Sequence, residues 1–292
     1  MSQELALHER EFHLFRDLIH REIGIWLGDH KRELVRARLS RRLRACGCES
    51  FREYGERLTA GAFGPGEWEQ MLNTITTNKT DFYREPAHFD FLAQEVLPRI
   101  KARAARGGSR RIRIWSAGCS SGEEPYTIAI TVREALGNLL GWDVRILASD
   151  IDTEMLQRAA AGTYADDRVV DIPPAILHAY FRRGTGAYAG QVRVTSEIRN
   201  LVAFRRINLL EEPWPFRATF DCIFCRNVMI YFDRPTQHHL VSRLAAHVSE
   251  DGYLFLGHSE SMHGLSDDFV VLRNTVNQKR RRSAAEGAGA TA

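Results

Sequence analysis

Ile112-Arg113-Ile114-Trp115-Ser116-Ala117-Gly118-Cys119-Ser120-Ser121-Gly122-Glu123-Glu124-Pro125 is the stretch on which the fold class turns. Apolar residues alternate with arginine through Trp115, which predicts a strand, and a glycine-bearing loop follows. Pro125 suits the first turn of a helix, predicted from about Pro125 to Leu136. Glycines at a first strand-to-helix turn let backbone approach a bound nucleotide closely. The spacing is GxxxG rather than GxGxxG, and two glutamates follow it. Carboxylates are poor company for a diphosphate but suit a cationic or neutral nucleoside such as S-adenosylmethionine.

Working outward, Val144 to Ala148 predicts a second strand that ends in Ser149-Asp150, and a helix from about Thr153 to Ala161 comes next. A carboxylate ending that strand is placed to accept both hydroxyls of an adenosine ribose. Its other possible role is a helix N-cap, because Asp152-Thr153-Glu154 follows at once. Further strands are predicted at Val202 to Arg205, Phe220 to Cys225 and Tyr253 to Gly257, alternating with helices as in an α/β parallel sheet. Arg182 to Val194, rich in glycine, predicts a small antiparallel β insertion at about 180–200.

Residues 5–76 instead carry helical periodicity, with a capping box at Ser50-Phe51-Arg52-Glu53. The expected organisation is an all-α domain over 1–77, an interdomain segment over 78–90 that contributes to the ligand site, an α/β domain over 91–278 and a disordered tail over 279–292.

The 292 residues carry 40 Lys and Arg against 37 Asp and Glu, a formal charge of +3, too small to argue for nucleic acid. No apolar run reaches the roughly 18 residues of a membrane span, and Met1-Ser2-Gln3-Glu4 opens no leader-like segment. Neither membrane insertion nor a nucleic-acid partner is expected. Five cysteines at irregular spacing fit reduced thiols and a cytoplasmic location. Cys222-Ile-Phe-Cys225 lies in an apolar run, so it is read as core rather than as half a metal site, and no metal is expected.

Several motifs together resemble the chemotaxis receptor glutamate methyltransferases, the CheR family. They are Asn78-Lys79-Thr80-Asp81-Phe82-Tyr83-Arg84-Glu85, Trp115-Ser116-Ala117-Gly118 with Gly122-Glu123-Glu124-Pro125-Tyr126, and Ala148-Ser149-Asp150-Ile151-Asp152. Phe224-Cys225-Arg226-Asn227-Val228-Met229-Ile230-Tyr231-Phe232 and Gly257-His258-Ser259-Glu260-Ser261 complete the set. The resemblance implies a Rossmann-like class I S-adenosylmethionine-dependent methyltransferase domain behind an all-α N-terminal domain. It implies S-adenosylmethionine contacts at Asn78, Thr80, Arg84, Glu124, Asp150, Asn208, Leu209, Arg226 and Asn227, with S-adenosylhomocysteine as product. The choice of Glu124 over Glu123 rests on the family pattern alone.

The implied reaction esterifies a receptor glutamate. That carboxylate, with an ordinary pKa of about 4.3, is already ionised at neutral pH and needs no general base. Alignment of the reacting atoms and exclusion of water remain as the work of the enzyme. Arg84 is expected to orient the acceptor carboxylate, and Tyr231 to donate a hydroxyl hydrogen bond or line the methyl channel. A rival reading is a signalling module that binds S-adenosylmethionine without turnover. A nicotinamide oxidoreductase is disfavoured by the missing GxGxxG.

From Lys31 to Arg44 seven basic residues stand against Glu33, and at about 100° per residue Lys31, Arg38, Arg41 and Arg42 share one helical face. With the resemblance, that face suits an acidic chemoreceptor coiled coil, through charge steering that salt would weaken. The β insertion, with Arg183 and Arg193 as candidate partners for acidic groups, resembles the family's β subdomain, which in some members docks the receptor's C-terminal peptide, a strand that would add to a sheet edge.

Overall fold

The computed structural model describes residues 6–273 and 275–281. Four helices come first, α1 (Glu9–Ile23), α2 (Arg32–Ala45), α3 (Phe51–Thr59) and α4 (Pro65–Ile75). Each buries one apolar stripe against the others: Phe12, Phe15 and Ile19 meet Val35, Leu39, Leu43, Tyr54 and Met71 in a single core. The Ser50 hydroxyl accepts from Glu53 N at 3.2 Å and starts α3. The Glu53 carboxylate reaches back to Glu49 N at 2.8 Å, one residue before the position a capping box would give. Two short helices joined by a π-helical turn follow, α5 (Ala87–Phe91) and α6 (Leu97–Ala105), and the sheet begins after them.

The α/β domain holds β1 (Arg111–Ala117), α7 (Glu123–Leu136), β2 (Asp143–Asp150), α8 (Thr153–Ala161), β3 (Thr163–Ala165), α9 (Pro174–Tyr180), β4 (Phe181–Arg183) and β5 (Gln191–Val194). It continues through α10 (Ser196–Arg199), β6 (Val202–Arg206), β7 (Phe220–Cys225), α11 (Arg234–His247), β8 (Val248–Leu256), β9 (Phe269–Arg273) and β10 (Val276–Lys279). Seven strands form the main sheet in the order β6-β2-β1-β7-β8-β10-β9. Neighbours from β6 to β8 pair in parallel, whereas β10 pairs antiparallel to both β8 and β9.

Strand alternation divides the core between the two faces of the sheet. Ile112, Ile114, Cys222, Phe224 and Phe255 pack toward α5 to α7. Trp115, Ala117, Ile223, Cys225 and Leu256 pack toward α11. Cys222 and Cys225 therefore point to opposite faces, which is why the CxxC spacing makes no pair.

Two expectations need correction. The small antiparallel sheet runs in the order β3-β5-β4, so it begins at Thr163 and not near residue 180. Three-residue strands such as β3 are too short to show a period. The main sheet also extends to Lys279, the first residue of the expected tail. Its ammonium donates to Ala245 O at 2.6 Å and Val248 O at 2.7 Å, meeting carbonyls left open at the end of α11. Arg281 is paired with Asp251. The remainder of the expected tail, residues 282–292, lies outside the described residues.

Gly122 precedes α7 with φ +97°, and a β-carbon there would lie 2.8 Å from Ala159 Cβ. Gly137 ends the same helix with φ +69° and open space around it. Gly137 has ψ −110°, outside the left-handed helical region, so alanine there is strained without a clash. Gly122→Ala combines the left-handed penalty of roughly 1–2 kcal/mol with a clash, so it should lower stability by about 2–5 kcal/mol against the parent, read from the melting midpoint.

Candidate functional site

Four consecutive strand ends of the parallel sheet open onto one cleft. They supply Gly118 and Ser120 after β1, Asp150 at the end of β2, Ile207, Asn208 and Leu209 after β6, and Arg226, Asn227 and Val228 after β7. This is the carboxyl edge, where the strand order reverses between β1 and β7 and ligands of open α/β sheets bind. The cleft encloses about 970 Å³ of empty space, its open mouth included. The segment 76–81 with Arg84 forms one wall, and Ile23 and Ile25 of the helical domain and Tyr231 and Phe232 form another.

Asp150 is buried and accepts from Ser120 N at 2.7 Å and Asp152 N at 2.9 Å. Burial pushes its carboxyl up to about 6 against those two stabilising donors. The N-cap of α8 is Asp152 instead, which accepts from Glu154 N and Met155 N at 3.0 and 3.1 Å. The cap alternative for Asp150 thus falls to its neighbour, and Asp150 faces the cleft.

Asp152 has a second task that the sequence analysis missed. Its other oxygen accepts from Thr76 Oγ1 and Asn78 Nδ2, both at 2.7 Å, so the interdomain segment is bound to the end of β2. Asn78 O in turn accepts from Ser120 Oγ at 3.0 Å. Thr80 is buried beside them and its carbonyl accepts from Arg168 at 2.5 Å.

The two glutamates of the glycine loop part company. Glu123 is buried away from the cleft and held by Arg168 at 2.8 Å and Ser121 Oγ at 2.7 Å. Glu124 lines the cleft, accepting from Ser116 Oγ at 2.7 Å and Arg226 Nη1 at 3.0 Å. Its carboxyl is raised overall, because desolvation exceeds what Arg226 returns.

Arg226, 5% exposed, bridges Glu124 and Glu85, each at 3.0 Å, and also donates to Arg84 O. Its charge is therefore matched by protein groups, while its Nε, buried beside the cleft, has no hydrogen-bond partner. Arg84 differs. It donates to Lys79 O at 2.8 Å, and no carboxylate among the described residues pairs with it. Asn208 lines the cleft but its side chain holds protein groups, donating to Glu22 O at 2.6 Å and accepting from Leu210 N at 3.0 Å.

Glu260 is the other residue that sequence reasoning left unassigned. Its buried carboxylate accepts from the backbone N–H groups of Asn227, Val228, Met229 and Gly257 at 2.5–2.9 Å. It thereby fixes the turn that carries Asn227 and Tyr231 into the cleft. An acidic residue in a Gly-His-Ser-Glu loop was the only signal available. Of five non-glycine residues with positive φ among those described, Tyr83, Glu85, Ser120 and Asn227 border this region. Such backbone costs about 1–3 kcal/mol per residue and collects where a site is over-determined by its surroundings.

The basic face expected on α2 is divided. Arg38 donates to the carbonyls of Ile75 and Thr76 and to Thr77 Oγ1, which fastens the start of the interdomain segment. Arg42 is paired with the buried Glu67. Lys31 lies in a short turn before the helix, and it and Arg41 are exposed. The difference arises because α4 packs against this side of α2, which periodicity along α2 alone does not reveal. Arg183 is exposed and 3.6 Å from Asp166, and Arg193 donates to Ala161 O at 3.2 Å.

Among the described residues no helix is long and apolar enough to cross a membrane. Two family descriptions match this chain in succession: the all-α domain of CheR methyltransferases over residues 10–76, and the S-adenosylmethionine-binding domain of CheR methyltransferases over residues 78–277. A chemotaxis protein methyltransferase of Salmonella typhimurium is 44% identical over 94% of this chain and 92% of its own length. Chemotaxis protein methyltransferase 2 of Pseudomonas aeruginosa is 46% identical over 89% of each chain. The Escherichia coli chemotaxis protein methyltransferase is 43% identical over 94% of this chain and 93% of its own.

The cleft suits the cofactor these descriptions name, with a buried carboxylate at the end of β2, a glycine turn beside it and no diphosphate cradle. On sequence and architecture alike, this chain belongs to the CheR methyltransferase family, with S-adenosylmethionine as its cofactor.

Proposed function

We propose that this protein methylates glutamate side chains of chemoreceptors, forming methyl esters in sensory adaptation. Methyl transfer in chemotaxis is what the names of its relatives give. The glutamate acceptor is carried by one observation: the cleft holds one arginine already neutralised, Arg226, and a second, Arg84, with no carboxylate partner among the described residues. An incoming carboxylate supplies that partner.

S-adenosylmethionine supplies the methyl group at a sulfonium and leaves as S-adenosylhomocysteine. Asp150 accepts the ribose hydroxyls, assisted by Asn78, Thr80, Leu209 and Asn227 around the cleft, while Glu124 and Arg226 set its polar floor. Arg84 orients the acceptor by a charge-assisted hydrogen bond, kept weak enough not to stabilise the ground state. Tyr231 lines the same cleft with its hydroxyl near the acceptor. Ile23 and Ile25 line one wall and make that side of the cleft apolar.

For the receptor itself, the exposed Lys31 and Arg41 favour an acidic coiled-coil surface in the cytoplasm, with Arg38 and Arg42 in supporting positions. The edges of the small sheet, next to Arg183 and Arg193, suit an added peptide strand. Tethering of that kind raises local substrate concentration without altering the chemistry.

Methyl-labelled S-adenosylmethionine incubated with chemoreceptor-containing membranes should leave label that mild alkali releases as volatile methanol, in a manner requiring this protein. Alkali-stable label would overturn the ester. Tyr231→Phe should lower kcat roughly tenfold or more and leave S-adenosylhomocysteine affinity within about twofold, and the reverse pattern would remove Tyr231 from the acceptor end.

Asp150 makes cofactor binding pH-dependent. Hydroxyl donors need the ionised carboxylate, so affinity for S-adenosylhomocysteine should be steady well above pH 6 and weaken as pH falls through about 6. Asp150 is an acid raised by burial, so in the empty fold its ionisation opposes stability as pH climbs from about 4 toward that value. Asp150→Asn should bind more weakly and lose this part of the pH profile, whereas Glu124, unchanged in the variant and itself raised by burial, keeps its own. Calorimetric titration at several pH values separates these contributions.

A further inference from the structure

Outside the cleft, the fold brings together three donors that are far apart or differently placed in sequence. Glu85 lies in the interdomain segment, His88 on α5 and His258 in the loop after β8. One ligand atom from each lies within 4.8 Å of the other two. We propose that Glu85, His88 and His258 bind a first-row dication of the zinc class, with water completing a four-coordinate site.

Bonds of about 2.0–2.1 Å in a tetrahedral zinc site place neighbouring ligand atoms about 3.3–3.4 Å apart. Glu85 Oε2 is 3.5 Å from His88 Nδ1, close to that spacing as it stands. His258 Nε2 is 3.9 Å from the same oxygen, on a side chain that is 55% exposed and whose ring meets the His88 ring edge-on at 5.6 Å. These separations suit a shared ion better than direct hydrogen bonds, which require shorter contacts.

His88 carries the argument. The residue is 2% exposed, and its Nδ1 has no hydrogen-bond partner, an uncommon condition for a buried polar atom. Its other nitrogen, Nε2, is held by Thr275 Oγ1 at 2.9 Å. With Nε2 as the protonated nitrogen, this is the outer-shell bond that metal-ligating histidines use to fix ring and tautomer, and the Nδ1 lone pair faces Glu85. Burial also lowers the imidazole to about 4, so at neutral pH it is an uncharged ligand rather than a competing cation.

Arg226 does not prevent such binding. Its Nη2 lies 3.0 Å from Glu85 Oε2, and Asn227 Nδ2 and His258 N donate to Oε1 at 3.4 and 3.2 Å, which leaves one of the carboxylate's about four lone-pair positions, on Oε2, for an ion. Glu85 and Glu124 together outweigh the single guanidinium between them. The soft thiolate sites that usually hold zinc have no counterpart here, and imidazole with carboxylate favours zinc, nickel or cobalt over magnesium or calcium.

Cobalt is the probe, because four-coordinate Co²⁺ absorbs in the visible range. The full-length protein, stripped with chelator and dialysed at neutral pH, is titrated with Co²⁺ and then with Zn²⁺. One equivalent of Co²⁺ should develop the four-coordinate bands, and Zn²⁺ should abolish them. His258→Ala, an exposed change whose fold circular dichroism can verify, should weaken binding at least tenfold. Cys46→Ser and His239→Ala, remote from the cluster, should leave it unchanged. No cobalt bands in the parent protein, equal affinity in His258→Ala, or loss of the bands in Cys46→Ser would each overturn the site.

Discussion

A positive charge buried at the carboxyl end of β7 has to be balanced, and much of the cleft is arranged by that need. Arg226 is surrounded by protein, and an unpaired guanidinium there would cost several kcal/mol. Glu124 from α7 and Glu85 from the interdomain segment balance it, each at 3.0 Å, while the Phe89 ring lies 5.3 Å from the guanidinium carbon. One side chain thereby draws the first helix after the glycine loop, the segment between the domains and the fourth parallel strand to a common point. The polarity of the cleft floor and the position of Arg84, whose carbonyl Arg226 also holds, follow from this arrangement.

The same logic of buried acids holding donors recurs around the cleft. Asp152 holds Thr76 and Asn78, and Glu260 holds four successive or neighbouring amides around the turn after β7. These carboxylates let the backbone at Tyr83, Glu85, Ser120 and Asn227 remain in left-handed conformations that would relax elsewhere. The helical domain adds a further clamp. Trp26 N donates to Tyr231 O at 2.8 Å, and Ile25 forms a single bridge with Phe232. The residue expected to face the acceptor is thus positioned by backbone contacts from a domain with its own core.

Legibility in the sequence followed the range of the interactions. The central strands and their helices were readable, because alternation in Ile112 to Trp115 and in Phe220 to Cys225 is imposed locally by burial on two faces. Strands β9 and β10 were not anticipated. Val270, Val271 and Leu272 are exposed on an edge strand, so no inward and outward alternation marks them. On α2, the helical face containing Arg38 and Arg42 reads as a surface for a partner because the contacts that occupy it, Glu67 and the carbonyls of Ile75 and Thr76, come from a later element.

What the sequence determined by itself was the α/β class, the glycine turn, the acid ending β2 and, through shared motifs, the family. Each depends on residues close together along the chain or on patterns preserved as words. For Glu124 over Glu123 the sequence offered only the family pattern, and the tertiary structure supplied the geometry; it alone decided between Asp150 and Asp152 as the helix cap. It also decided that Arg226 is paired while Arg84 has no carboxylate partner among the described residues, and that Glu85, His88 and His258 converge. The physical reason is that charge pairing and hydrogen bonding depend on distances of about 3 Å between groups from separate elements, and one-dimensional spacing does not encode those distances.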